Sequence, residues 1–238
     1  MNKLHATRKV LPLVGIITVA AATTATAGPP TYTVQTVQYP GDTFTQLLGI
    51  NNSDVIGGFH GAVTPQGFTF TLPATFTSQN FPGSSTSMVT GINGNGDTSG
   101  IYVDAMATSH GYTDVGGVFQ TVDEPGTVFN QALGINNGLE TVGYSSATDL
   151  TGATGEVAYS QFGGVFKNLT LPSNVNSQAV GINNAGDIVG FYTPTSTTSL
   201  GFLDVGDVIT KLDPFGSSSA QALGISNTGE IVGLYVDG

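Results

Sequence analysis

The sequence predicts an all-β repeat protein, and the simplest such fold is a five-bladed β-propeller with about 43 residues in each blade. Three observations favour it: a composition poor in charge, a motif that recurs five times, and a spacing that fits four short strands. Gly supplies 34 of the 238 residues, and only 9% are charged. Because surface helices draw on Glu, Lys and Arg, a charge content far below the usual ~25% indicates strands and turns.

The repeated motif is a stretch of about twelve residues that begins with Gly-Ile-Asn or Gly-Ile-Ser. Its copies start 42, 43, 47 and 43 residues apart, at Gly49, Gly91, Gly134, Gly181 and Gly224. Units of this length commonly hold the four strands of a propeller blade. A β-solenoid would need shorter coils, and the chain shows no shorter period. The leucine pattern of leucine-rich repeats is missing as well.

The copy that begins at Gly181 shows the four predicted strands most clearly. They are Gln178–Asn183, Asp187–Tyr192, Ser199–Val205 and Val208–Asp213. The first two are joined by Asn-Asn-Ala-Gly, and a four-residue loop that ends in Gly suits a hairpin with a left-handed last residue.

Each copy also places a glycine inside the second strand. These glycines are Gly57, Gly100, Gly143, Gly190 and Gly233. A glycine inside a strand often marks a close approach of another part of the backbone. We expect that crowding near the axis of the propeller.

The two ends of the chain predict how the ring closes. The segment Val34–Asn51 aligns with Phe119–Asn136, so the chain after its leader starts on a fourth strand. The carboxyl end stops after a first and a second strand. We therefore expect Tyr32–Tyr39 to pair with the C-terminal blade and protect its edge. That blade lacks an obvious third strand, so either it has three strands or the chain is truncated relative to a longer array.

Residues 1–27 are predicted to be a secretory signal peptide. A basic start is followed by a short apolar run, Val10–Ala22, and then by Ala25 and Ala27 in an Ala-x-Ala pattern. This order predicts cleavage after Ala27 and an exported protein, periplasmic or extracellular, with residues 28–238 as one domain. An uncleaved anchor is the alternative, but the run is shorter than the ~20 residues of a spanning helix.

Charge and cysteine content exclude several partners and chemistries. Beyond the leader, the chain has two basic residues, Lys167 and Lys211, and sixteen carboxylates. Nucleic acid and anionic membrane are therefore poor partners. No later apolar run is long enough to span a membrane. The absence of Cys excludes disulfides, thiol catalysis and zinc–thiolate sites. We expect a monomer.

The Gly-Ile-Asn copies resemble a known family. Together with "HGY" at His110–Tyr112 and the F-x-T-x-x-x-P-G segments, they are similar to the HAF-type extracellular repeats of bacterial exported proteins. The resemblance covers most of residues 31 to 238. It implies an exported, propeller-like protein and implies no catalytic residues. Ser226 in place of Asn is one departure from the pattern.

Five acids recur near the start of the second strand of each copy. They are Asp54, Asp97, Glu140, Asp187 and Glu230. One interpretation is a cation site on one face of the ring, for which oxygen ligands favour Ca²⁺ over Zn²⁺. The other is a set of solvated strand starts, which the repulsion of five like charges favours. Apart from that possible calcium, no cofactor is expected.

Five aromatic residues end the second strands: Phe59, Tyr102, Tyr144, Tyr192 and Tyr235. They could stack on sugars at a ligand site between blades, or they could pack in the core.

Nearly equal repeats favour a non-catalytic binding or surface module, with a glycan or another surface protein as its ligand. The alternative is a glycan-active hydrolase or lectin on the same scaffold, and a third interpretation is a purely structural matrix component. A hydrolase needs two carboxyl groups about 5 to 9.5 Å apart. Sixteen acids make such pairs easy to form by accident.

Overall fold

The computed structural model describes residues 34–172, 176–195 and 198–236. The predicted signal peptide and Tyr32 lie outside this part of the chain. Within it, no helix has the length and apolar character needed to cross a membrane.

The described residues form five antiparallel sheets that follow one another in chain order. The first contains β1 (Thr45–Ile50), β2 (Val55–His60), β3 (Gln66–Thr71) and β4 (Thr75–Ser78). The second contains β5 (Thr86–Ile92), β6 (Thr98–Val103), β7 (Ser109–Val115) and β8 (Val118–Val122). The third contains β9 (Phe129–Ile135), β10 (Thr141–Ser146), β11 (Glu156–Phe162) and β12 (Val165–Asn168).

The fourth sheet contains β13 (Asn176–Ile182), β14 (Ile188–Thr195), β15 (Thr198–Val205) and β16 (Val208–Leu212). A single 3₁₀ turn, Pro214–Gly216, leads to the fifth sheet, which has only β17 (Ser219–Ile225) and β18 (Ile231–Val236). The all-β prediction and the four-stranded unit are therefore confirmed for four repeats. In the fourth repeat the observed strands match the predicted ones to within three residues.

The first strand of each sheet packs against the sheet before it, which is the arrangement of propeller blades. The five motif glycines form a row along these first strands. A Cβ atom built on Gly91 would lie 3.1 Å from the Cα atom of Gly134, and one on Gly181 would lie 3.2 Å from that of Gly224. Any larger residue would push neighbouring sheets apart, which explains why the motif begins with glycine.

The asparagine at the third position of the motif joins each sheet to the next. Its Nδ2 atom donates to the backbone carbonyl at the same position of the following repeat, over 3.0 to 3.4 Å. The donors are Asn51, Asn93, Asn136 and Asn183, and the acceptors are Asn93, Asn136, Asn183 and Ser226. We call this series the asparagine ladder.

The same side chains also fold the turn that follows them. The Oδ1 atom of Asn136 accepts the backbone N–H groups of Gly138 and Glu140, and the other ladder asparagines do the same in their own turns. One buried amide therefore satisfies two turn donors and one acceptor of the next sheet. Groups of this kind would otherwise be left without partners inside the protein.

Asparagines at the fourth position make a second series of bonds between repeats. The backbone N–H groups of Gly94, Asn137 and Asn184 donate to the Oδ1 atoms of Asn137, Asn184 and Asn227, respectively. The Asn-Asn pair of the motif thus joins sheets through both of its side chains.

Ser226 is the point where the asparagine ladder ends. Its Oγ atom still accepts the N–H groups of Thr228 and Glu230, as an asparagine would. A serine has no amide with which to reach a further repeat. The departure from the motif therefore falls on the last sheet of the described chain.

The predicted closure of the ring is not present in the structure. Of the segment Tyr32–Tyr39, residues 34 to 39 form no strand, and Tyr39 stacks on His60 of the first sheet at 3.6 Å. The pairing with the C-terminal blade was wrong for these residues, because Tyr39 occupies the place before the first sheet that Phe81 occupies before the second. Phe81 stacks in the same way on Tyr102, at 3.8 Å.

Among the described residues, the outer faces of the first and fifth sheets carry exposed apolar side chains. Leu47 and Ile50 on β1 are 41% and 61% exposed, and Val232 and Leu234 on β18 are 50% and 41% exposed. Their counterparts between sheets are covered; Val189 and Ala222, for example, pack together in the core.

We predict that Asn136→Ala lowers the free energy of unfolding by about 3 kcal/mol, because the buried carbonyl of Asn183 and two partly buried turn N–H groups lose their bonds. Asn136→Ser should lose only about 1 kcal/mol, because its hydroxyl can accept the turn N–H groups as Ser226 does. Urea unfolding measures both. Equal losses for the two variants would show that the bond between sheets, and not the turn, gives the residue its whole effect.

Candidate functional site

Three of the repeated acids are held by hydrogen bonds within their own repeats. The Nδ2 atom of Asn93 donates to Asp97, and that of Asn183 donates to Asp187, each over 2.9 Å. Glu230 accepts from Thr228 Oγ1 over 3.0 Å. Among the described residues, no three Asp, Glu, His or Cys side chains are grouped as metal ligands. Calcium binding at these acids stays a prediction.

Asp54 is not the structural counterpart of the other four acids. It has a φ of 57° and takes the left-handed turn position that Gly96, Gly186 and Gly229 take in other repeats. Val55 stands where Asp97 stands. The pairing of Gly57 with Gly49 shows the same shift, because Gly58 then becomes the counterpart of Gly100.

The five aromatic residues occupy two different register positions. Tyr102, Tyr192 and Tyr235 share one position, whereas Phe59 and Tyr144 lie one residue earlier and so point to the opposite face of their sheets. Tyr102, Tyr144 and Tyr192 are buried. The structure therefore does not bring the five rings together on one surface.

His110 forms a polar cluster that the sequence did not reveal. Its Nδ1 atom lies 2.6 Å from Asp123, its Nε2 atom lies 3.5 Å from Asp104, and its ring stacks on Tyr102. Backbone N–H groups of residues 108 and 106, together with His110, hold the pKa of the Asp104 carboxyl below its usual range. The cluster ties the ends of strands in the second sheet and leaves none of these groups without a partner.

A cleft of about 440 Å³ opens between the third and fourth sheets. Glu140, Lys167 and Asn168 line it from the third sheet, and Asp204 and Asp207 line it from the fourth. Most of its polar residues are charged, although charged residues are rare in this chain. Because charged residues are concentrated in it, the cleft is the candidate functional site.

Asp204 provides the unusual atom of the cleft. It lies on β15, opposite Ile188 and Ile209, and is only 6% exposed. Its Oδ1 atom is buried and has no hydrogen-bond partner. Burial, and then the charge of Asp207, raise the pKa of its carboxyl. A buried, unsatisfied acceptor of this kind opposes folding unless something binds it.

Asp207 and Lys167 span the opening of the cleft from its two walls. Asp207 follows Gly206 in the two-residue turn between β15 and β16, where both residues have a positive φ. Asp tolerates that conformation. The ammonium group of Lys167, on β12, forms an ion pair with Asp207, which raises the pKa of Lys167. Both side chains are more than half exposed.

Glu140 completes the acidic lining. A Cβ atom built on Gly186 would lie 3.7 Å from Glu140 Oε2, so this carboxylate of the third sheet reaches the turn of the fourth. With three carboxyl groups and one ammonium group, the cleft suits ligands that donate hydrogen bonds or have a positive charge. Anions are repelled.

Sequence reasoning predicted Glu140 as a candidate but missed Asp204, Lys167 and Asp207. The composition contains a usable signal for Lys167, because it is one of two Lys or Arg residues beyond the leader. The buried state of Asp204 has no signal of its own. Asp114, at the same position of the second sheet, is also buried with an unpartnered Oδ1 atom, and it does not line this cleft.

Comparisons with known proteins identify the fold and nothing finer. A scan of protein-family models and a search of curated proteins found no match. Among solved structures, the chain is similar to TolB from Acinetobacter baumannii, with a TM-score of 0.53 and 13% identity. The similarity covers 80% of this chain and 54% of that one, so the chain spans about half the length of TolB.

A second solved structure is a triple arginine-to-alanine mutant of AofleA from Arthrobotrys oligospora. It has a TM-score of 0.47 and 14% identity, and the match covers 83% of this chain and 67% of that one. A score this low carries no argument. The first similarity supports a propeller-type fold for the described sheets.

We predict that Asp204→Asn and Asp114→Asn each raise the free energy of unfolding at pH 7 by about 1 kcal/mol, because each removes a buried charge. Burial raises the pKa of both carboxyls in the folded state. The protonated form of each carboxyl is therefore favoured in the folded state. The stabilisation that protonation provides is complete below the unfolded pKa of ~3.9 and is lost as the pH rises through the folded pKa.

Thermal unfolding between pH 3 and pH 8 measures this effect. The advantage of each variant over the unmodified protein should shrink as the pH falls through the raised folded pKa and should be gone once the pH is below the unfolded value of about 3.9. A gain that stays constant across the whole range would contradict the role assigned to the charge.

Proposed function

We propose that the protein is an exported, non-catalytic binding module of propeller type that receives its ligand in the cleft between the third and fourth sheets. One observation supports this above the others: Asp204 lines that cleft, and its carboxyl has a buried Oδ1 atom without a hydrogen-bond partner. A ligand with a hydrogen-bond donor would satisfy that atom.

The repeated motif supports a single site over five equal ones. Its glycines are pressed against the next sheet, and its asparagines are used in bonds between sheets. These groups are therefore not available to a ligand. What remains for recognition is the set of side chains outside these glycines and asparagines. The cleft contains four charged ones, of which Lys167 and Asp207 are not repeated positions.

A glycan or a surface protein remains the expected ligand class. The cleft offers acceptors on Glu140 and Asp207 and an amide on Asn168, which suit hydroxyl and amine donors. Phosphate-rich ligands would meet carboxylates. Export itself rests on the predicted signal peptide and on the resemblance to HAF-type repeats.

Catalysis by glycoside hydrolysis is the weaker candidate. Such an enzyme uses one carboxyl group with a raised pKa as its acid, and Asp204 has that property. The same environment recurs at Asp114, on the equivalent strand of the second sheet. A recurrent buried Asp indicates a feature of the hairpin and not a single catalytic centre.

We predict that the purified protein shows saturable binding to components of an immobilised glycan and surface-protein array. Asp204→Asn should weaken that binding about tenfold or more, because it removes a charged acceptor. Asp114→Asn is the matched control, since it changes the same kind of residue in another sheet. Equal losses for both variants, or no saturable binding, would overturn the proposal.

The ring itself is proposed to close when the fifth sheet packs on the first. The exposed faces support this, since Val232 and Leu47 correspond to Val189 and Ala222, which pack between the fourth and fifth sheets. A ladder bond at the seam is unavailable, because Ser226 lacks an amide. Closure would therefore depend on apolar contact.

We predict that a Leu47→Cys, Val232→Cys double variant forms an intramolecular disulfide under mild oxidation, since the chain has no other Cys. A Val189→Cys, Ala222→Cys variant is the positive control. Non-reducing electrophoresis and intact mass report the bond. Bond formation in the control alone would show that the array stays open.

A further inference from the structure

The structure assigns the cleft between the third and fourth sheets to a primary ammonium group on an alkyl stem, as in a lysine side chain, with Lys167 as its internal competitor. This inference rests on the proposed binding function and names the ligand class. The repeat pattern requires neither a cleft that binds an ammonium group nor a lysine that competes for it. Both follow from the charges, acceptors and apolar walls of this cleft.

The acceptors of the cleft match the donors of an ammonium group. Such a group has three N–H donors and no acceptor. Asp204 lines the cleft and has a buried Oδ1 atom without a partner, and Glu140 and Asp207 provide two further carboxylates in its lining. A neutral hydroxyl could bond to Asp204 but would leave the negative charge of the cleft unbalanced.

The chain already holds one ammonium group at the opening of the cleft. Lys167 pairs with Asp207 from the opposite wall, and the charges of Asp207, Asp204 and Glu140 all favour its protonated form. The cleft therefore stabilises an ammonium group at its opening. An ion pair this exposed adds little stability, so an incoming ammonium group can displace it at low cost.

The walls below the charges are apolar. Leu169, Ile188 and Ile209 line the cleft beside its carboxyl groups. An alkyl stem can lie along such a surface while its charged end reaches polar groups. The overall charge of the chain, −11, adds attraction for cations at low salt.

An alkyl ammonium group could come from a lysine side chain of a partner protein or from a free diamine. Titration calorimetry at low ionic strength can compare Nα-acetyl-lysine methylamide with 1,5-diaminopentane. Nα-acetyl-norleucine methylamide is the control ligand, because it keeps the alkyl stem and lacks the ammonium group. We expect both amines to bind and the norleucine compound not to bind.

Two pairs of variants locate the binding. Asp204→Asn should weaken amine binding about tenfold or more, while Asp114→Asn should leave it unchanged. Lys167→Met should strengthen binding by up to about fivefold, because the competing ion pair is gone. Lys211→Met is its control: Lys211 pairs with Asp213 outside the cleft, and its loss changes the net charge equally.

The outcomes separate this inference from the proposed function. Binding of the norleucine compound, equal effects of Lys167→Met and Lys211→Met, or equal losses for the two Asp variants would overturn the ammonium assignment. If array binding depends on Asp204 while no amine binds, the ammonium assignment fails and the binding function stands. If neither probe binds, both are overturned. Tighter binding of the diamine would identify the free amine as the source.

Discussion

The asparagine ladder is the interaction on which the rest of the structure depends. Each ladder amide folds its own turn and bonds to the next sheet, so hairpin geometry and the spacing of sheets are set by one side chain. The glycine row makes this possible, because the first strands must come close enough for a short amide to reach across. A motif of a dozen residues recurs because every interface between sheets needs both devices.

Because these motif side chains are used within the fold, they limit which residues can bind a ligand. A propeller with five equal motifs suggests five equal binding sites, yet the ladder asparagines of the motif already have partners within the fold. The repeated acids follow the same rule, since Asp97 and Asp187 each bond to a ladder amide. Recognition is therefore expected from residues that vary between repeats. Lys167 and Asp207 are such residues, and in the cleft between the third and fourth sheets they lie beside Glu140 and Asp204.

The sequence predicted the features that depend on local pattern and missed those that depend on contacts between repeats. Strands and turns follow from apolar segments and from Gly186, whose φ of 85° confirms the left-handed turn position. The register of the first repeat was wrong because Asp54 can adopt the conformation that glycine adopts elsewhere. Its carboxylate looked like the counterpart of Asp97, although Val55 holds that place. The pairing predicted for the segment before the first sheet was wrong for residues 34 to 39, because the alignment of Val34–Asn51 identifies a repeat position and cannot show what that segment packs against.

The candidate site also depends on contacts between repeats that the sequence does not reveal, here through the free-energy cost of a buried charge. Asp204 and Asp114 occupy one position of two hairpins, and both have a buried carboxyl oxygen without a partner. The sequences of the two hairpins differ little, and no local pattern distinguishes Asp204, which lines a cleft, from Asp114. What distinguishes Asp204 is the neighbouring sheet, which contributes Glu140 and Lys167 across the interface. A buried charge opposes folding in both hairpins. Asp204 lines a cleft in which a ligand could offset that cost, so an unfavourable buried group can serve there as a recognition element.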